Sequence, residues 1–382
     1  MTGTIAKMFA IMMAGSLGAG PLLAQGNLST QGFGYPQGQL TTRALSLGGA
    51  IGEIDPSGPL NPGAIGHLTT RTVLFQIEPE YRTVTSSSGI DRTTTARYPV
   101  IFVGVPFGEQ WVTSVSSSTL LDRSWQTSHA LTEAVGADSV STVLHETSDG
   151  AMNDLRVAEA WTNRTWFSIG VGVHAVTGRN VVTSGQSFPD SSHFSSFSSN
   201  RTLSYRGTAL SAGVELVATD QAVLGLTYRK GGSLRERSND STLAQGNVPD
   251  HFGLSVAYTG LRSTTLAVRA GHDGWSSLGR MLETPGQTVH DSWDLGGGAE
   301  VPGPHFANQT VLLRGGFRTR TLPFEASSKA VTERSVSFGS GFSMGRGRLL
   351  VDIAGVHQWR FSDVPSVKER AWTLSFSLTA RP

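Results

Sequence analysis

The chain of 382 residues contains no cysteine. That absence excludes a disulfide framework, every thiolate metal site and every cysteine nucleophile. Charge is scarce as well: Asp, Glu, Lys and Arg make up 15% of the residues, whereas a typical soluble domain has roughly a quarter. Thirty cations against twenty-nine carboxylates leave a formal net charge of +1. No basic cluster interleaves with aromatics, so neither charge nor pattern points to nucleic acid. No long hydrophobic run follows the N-terminal segment, which leaves no transmembrane helix to place in the rest of the chain. Histidines and carboxylates never fall at metal-ligand spacing, and no cofactor is expected.

What is present begins with "MTGTIAKMFAIMMAGSLGAGPLLAQG". One cation, Lys7, precedes an apolar segment from Met8 to Leu23 and a small residue, Ala24. This predicts a cleaved signal peptide over residues 1–24. A lone membrane anchor fits less well, because Gly15, Gly18, Gly20 and Pro21 break the segment.

At the other end, "AWTLSFSLTARP" alternates strictly: Trp372, Leu374, Phe376, Leu378 and Ala380 against Thr373, Ser375, Ser377, Thr379 and Arg381. A period of two marks an extended strand facing two different environments. From Arg71 onward about fourteen such segments can be marked, at 71–82, 92–106, 110–123, 150–162, 165–178, 200–218, 221–236, 248–260, 262–277, 289–302, 308–324, 330–345, 347–362 and 367–380. They exceed the soluble mean of about five or six residues and suit a tilted membrane-spanning strand. Short connections alternate with generally longer ones, as in an outer-membrane barrel with short periplasmic turns. One face carries Phe167, Ile169, Val171 and Val173, or Phe252, Leu254, Val256 and Tyr258; the other carries Gly, Ser and the charges Arg229, Arg269, Asp294, Glu300, Arg314, Arg318 and Asp352. The prediction is an all-β, transmembrane antiparallel β-barrel of about 14 strands over residues 71–382, with the Trp372 to Ala380 face toward lipid.

Two segments break the rhythm. Residues 25–70 hold Gly and Pro punctuation without an alternation long enough to span a bilayer, so they are placed in the periplasm or inside the barrel. Residues 124–149 space Leu131 with Val135, and Val140 with Val143 and Leu144, as two short amphipathic helices would. Together with the Phe-containing stretch 179–199 they predict a greasy outer surface. Candidate hydrophobic-capture residues are therefore Trp125, Leu131, Val135, Phe188, Phe194 and Phe197.

Three strings resemble enzyme motifs. "GFSMG" (Gly341 to Gly345) matches a nucleophile elbow but lies within a continuing strand alternation. "GVGVHA" at Gly170 lacks the helix a dinucleotide loop requires. His193 in "HFS" has the His-x-Ser order of outer-membrane phospholipases but no Asn partner. No catalytic residue is assigned, and a lipid hydrolase is kept only as a remote alternative.

The stretch "RALSLGGAIGEIDPSGPLNPGAIG" is the most specific signal in the chain. It resembles the N-terminal plug of the FadL family of outer-membrane long-chain fatty-acid transporters, in which a Gly-rich segment is followed by Asn-Pro-Ala. The matching residues are Gly48, Gly49, Asn61 and Pro62, with Gly63 standing where the family has Ala. The resemblance implies a lumenal plug over residues 25–70. It also implies a location in the cell outer membrane and passive uptake of hydrophobic small molecules such as long-chain fatty acids, without enzymatic chemistry. Implied partners are outer-membrane lipid, a hydrophobic ligand and the barrel-assembly machinery. Such barrels also include members implicated in aromatic hydrocarbon uptake and in protein secretion, so a scaffold or secretion role without solute transport is the alternative. The sequence sets no oligomeric state.

Overall fold

The structure, a computed structural model, describes residues 33–382 apart from 87–88, 136–137, 189–194, 240, 262, 282–287, 307–308, 326–329 and 362–366. The predicted signal peptide and Phe194 lie outside the described residues. Before the barrel come a two-residue strand β1 (Tyr35–Pro36), a short helix α1 (Thr42–Ser46) and a 3-10 turn (Ala64–His67). The first half of the barrel comprises β2 (Thr72–Ser86), β3 (Gly89–Arg97), β4 (Val100–Phe107), β5 (Trp111–Asp122), β6 (Trp125–Val135), β7 (Asp138–Thr162), β8 (Phe167–Ser187) and β9 (Phe197–Thr219). The second comprises β10 (Ala222–Ser238), β11 (Ser241–Asn247), β12 (His251–Leu261), β13 (Thr264–Asp273), β14 (Ser292–Phe306), β15 (Gln309–Glu325), β16 (Ala330–Met344), β17 (Leu349–Phe361) and β18 (Lys368–Ala380).

Strands β3 with β4, β5 with β6, and β11 with β12 are each one stave broken by a short irregularity, which gives fourteen antiparallel staves. The last stave pairs with the first, from Lys368↔Thr85 to Ala380↔Val73, and the barrel closes. Closure pairs the first stave with the last, so neither leaves a free edge in hydrocarbon.

The barrel is apolar outside and polar inside. Phe75, Val171, Leu210, Val268 and Phe338 are exposed on its outer wall, while Gln76, Arg156, Arg269, Ser337 and Asp352 are buried within. On β18, Phe376 is 40% exposed and Ser375 beside it 0%. A soluble sandwich would bury the phenylalanine; a barrel in lipid presents it. All seven charges predicted for the polar face are buried in the lumen.

Turns at 108–110, 163–166, 220–221 and 345–348 mark one end. Toward the other end the strands run on: β7, β8 and β9 have 25, 21 and 23 residues, about twice the span a bilayer needs. This corrects the reading of residues 124–149. Among the described residues they form no helix; β6 and β7 pair as a hairpin from Trp125↔Ser148 to Val135↔Asp138. The helical spacing there is carried by Leu131, Val135, Val140, Val143 and Leu144, but three of these are β-branched and Thr and Ser stand between them, a composition that favours strands.

Candidate functional site

Residues 33–68 run through the lumen from the end with the long strands to the end with the short turns. Tyr35 and Pro36 pair with Asp122 and Leu121 of β5. The Tyr35 ring is surrounded by three guanidinium groups, with Arg97, Arg320 and Arg360 at 5.5, 4.7 and 4.6 Å from its centroid. Its hydroxyl donates to Glu333 at 3.0 Å and accepts from Gln358 at 3.3 Å. These cations are themselves paired: Arg97 with Glu80 at 2.7 Å, Arg320 and Arg360 with Glu333 at 2.7 Å each, and Arg360 with Glu369 at 2.5 Å. Burial raises the Tyr35 hydroxyl above its ordinary value, so it remains a donor.

One layer further in, Thr41 caps α1 by accepting from the Ala44 N–H at 3.2 Å. Thr42 sits against Ser375 at 2.8 Å, and Arg43 reaches Glu300 at 3.2 Å. The chain then turns at Gly48 and Gly49, where φ is +64° and +81°. A side chain at Gly48 would collide with the Phe317 backbone, and wall glycines Gly296, Gly298 and Gly316 make the room into which Leu47 and Gly48 fit. The Gly48 N–H donates to Ser337 at 3.0 Å.

Glu53 lies beyond this turn. Arg269 donates to it at 2.9 Å and Ser255 at 2.6 Å, while His251 stands 3.7 Å away. Burial on its own would raise the Glu53 carboxyl, but Arg269 and His251 outweigh it and hold it at about 2. Asn61 donates to the carbonyls of Glu53 at 2.6 Å and Val214 at 3.0 Å, and accepts from the Gly63 N–H at 2.8 Å. Pro62 keeps Asn61 out of helix, and wall glycines Gly170 and Gly213 admit the turn. At the short-turn end, Arg164 donates to the Gly66 and Leu68 carbonyls at 3.2 and 2.9 Å. A cavity of about 30 Å³ remains beside Gln39, Arg229, His251, Arg269, Asp294 and Arg318, room for one or two waters.

The opposite end of the lumen is apolar. Phe33 packs in a buried cluster with Leu121, Met152, Tyr205, Leu234, Trp275 and Phe324. The 3-10 turn Trp275–Met281 contributes Leu278 and Met281 to that cluster. Sequence reasoning missed this cluster. Its signal was there, in apolar residues such as Leu121, Leu203 and Leu234 standing on a face otherwise polar.

The predicted capture residues do not come together. Leu131 and Val135 pair with Thr142 and Asp138, about 20 and 34 Å along β6 from Trp125. Phe188 follows β8 and is half-buried, and Phe197 opens β9 exposed. Trp125 has a distinct setting. Among the described residues no register joins β3 to β6, and Thr93–Ala96 on one side face Ser124–Gln126 on the other across an open cavity of about 330 Å³. This break in the wall lies near the level of Tyr81 and Trp372, since Thr94 pairs with Tyr81 and Tyr81 with Trp372.

Compared with solved structures, the chain is similar to a Pseudomonas aeruginosa FadL homologue, with a TM-score of 0.63 and 14% identity over 91% of this chain and 99% of that one. The Ralstonia pickettii toluene transporter TbuX follows at 0.57 and 12%, over 92% and 99%. The Pseudomonas putida toluene transporter TodX gives 0.56 and 12%, over 92% and 99%. The chain has the FadL-type barrel fold. No family model matches the sequence, and no curated protein does. Within this FadL-type barrel the enzyme-like strings are wall: Gly341 to Met344 lie in β16, and "GVGVHA" lies in β8. His193 lies outside the described residues. Among those residues no group of three or more His, Asp or Glu could hold a metal.

Proposed function

We propose that this barrel is an outer-membrane channel for passive uptake of hydrophobic small molecules, long-chain fatty acids or aromatic hydrocarbons among them, with residues 25–70 as its plug. The observation that carries the reading is the packed apolar cluster of Phe33, Leu121, Met152 and Trp275, set above a polar, filled lumen. A solute entering from the long-strand end would lodge among these side chains, which must part to admit it. Going straight on would cost it about 0.8 kcal/mol per CH₂ in the charged layer around Tyr35. Leaving sideways, through the break bordered by Thr93–Ala96 and Trp125, takes it past a rim mostly of Thr and Ser side chains instead of through the ion pairs. The named neighbours support this reading, as toluene transporters of the same fold.

The filled polar lumen also suits a second reading, a scaffold or secretion-complex barrel that carries no solute. Binding of a fluorescent long-chain fatty acid and of toluene to the purified full chain separates the two. Leu121→Asp places a charge in the apolar cluster and is expected to weaken binding at least tenfold, at about 1.4 kcal/mol per decade. Wild-type protein that binds neither probe would leave the scaffold reading standing.

A further inference from the structure

The outer wall carries a cluster of cations just beyond its apolar band. Along β9 the outward positions read Leu216, Val214, Ala212 and Leu210, then Thr208, Arg206 and Ser204. Arg206 sits directly opposite Arg235 of β10. In the next row Ser204 is flanked by Arg179 of β8 and Arg237 of β10. Arg179, Arg206 and Arg235 are exposed on the outside of the barrel. Strands lie about 4.8 Å apart and alternate residues about 6.8 Å, so these guanidinium groups share a patch roughly 10 Å across.

Like charges directly opposite one another destabilise a strand pair. Here nothing on the described surface offsets them: among the described residues no carboxylate approaches Arg179, Arg206 or Arg235 within ion-pair distance. Asp149, diagonal to Arg179 across the β7–β8 pair, stays outside it. Asp250 is engaged by Lys230 at 2.6 Å. The position along the membrane normal is equally telling. Leu210 closes the apolar band and Arg206 follows about 13 Å along a tilted strand, which puts the patch at headgroup depth on the long-strand side.

We propose that Arg179, Arg206 and Arg235 form a binding site for phosphorylated lipid headgroups of the outer leaflet. Guanidinium forks match phosphate oxygens in a bidentate manner, and one or two phosphates would neutralise the opposed pair. The site is independent of what the barrel transports.

The test uses the folded full chain in neutral detergent, titrated with diphosphoryl lipid A, with its dephosphorylated form, and with inorganic phosphate as competitor; bound lipid is counted by native mass spectrometry. Lipid A is expected to bind and the dephosphorylated form not to. Arg206→Gln with Arg235→Gln should weaken binding about thirtyfold, roughly fivefold for each cation removed. Arg206→Lys with Arg235→Lys should retain most of it, and Arg179→Gln alone should cost about fivefold. Heat-modifiable migration verifies folding; if the double Gln variant does not fold, the Lys pair and the Arg179 variant carry the test. Equal binding of the dephosphorylated lipid, or undiminished affinity in folded Gln variants, overturns the site. Full displacement of lipid A by millimolar phosphate would make it an anion site rather than a lipid site and overturns the proposal too.

Discussion

Glu53 is wholly buried, yet it stays ionised because Arg269 donates to both of its oxygens. Its carboxyl is held at about 2 against an ordinary 4.5. A depressed carboxyl contributes stability that is complete above the ordinary value and is lost as pH falls toward the depressed one. The hold of residues 33–68 on the lumen is therefore expected to weaken between pH 4.5 and about 2. Single-channel conductance in planar bilayers should rise over that window. Glu53→Gln should already conduct more at neutral pH and change little on acidification. Removing one partner of a buried ion pair costs about 3–5 kcal/mol, and Asp294, 2.5 Å from Arg269, offsets part of that here. A variant indistinguishable from wild type at both pH values would refute the assignment.

Among the elements, the turn at Gly48 bears most directly on occlusion. Its φ of +64° and its fit against Phe317 admit no side chain. Gly48→Val should expel this turn from the wall and raise conductance while leaving a heat-modifiable barrel; unchanged conductance would mean that the turn does not close the lumen. That residues 25–70 differ from the staves is legible in their lack of a strand alternation, while Gly48, Gly49, Asn61 and Pro62 are singled out by the resemblance to the FadL plug. The staves were legible where both solvents differ sharply, as on β18, where Phe376 and Ser375 face opposite ways. Legibility failed beyond the bilayer. Once β6 and β7 leave the lipid both faces meet water or protein, alternation loses its cause, and Leu131 with Val135 can imitate a helical stripe. The apolar cluster was hidden for a related reason: Phe33, Trp275 and Phe324 come from distant parts of the chain, and only closure of the barrel gathers them.

For the whole molecule, the lumenal segment and the wall share one set of charges. Deleting Gln25 to Gly58 removes Glu53 from Arg269 and Tyr35 from Arg97, Arg320 and Arg360, yet leaves the wall's own pairs, Arg318 with Asp294 and Arg314 with Asp352, at 2.6 and 2.5 Å. The deleted protein is therefore expected to fold as a barrel of raised conductance. The seam between β2 and β18 adds a constraint of timing. Residues 33–68 precede the first stave, and α1 lies against β15, β16, β17 and β18, the staves made last. The ring cannot be completed until the chain's end has been synthesised, and the order expected from this is that its beginning is laid inside before the seam between β2 and β18 closes. A synthetic peptide covering residues 25–58 should thus restore low conductance when present during refolding of the deleted barrel and fail to do so when added afterwards; equal rescue by both routes would show that the segment enters a finished ring. Biogenesis of this protein, on that account, is a wrapping of the wall around its contents.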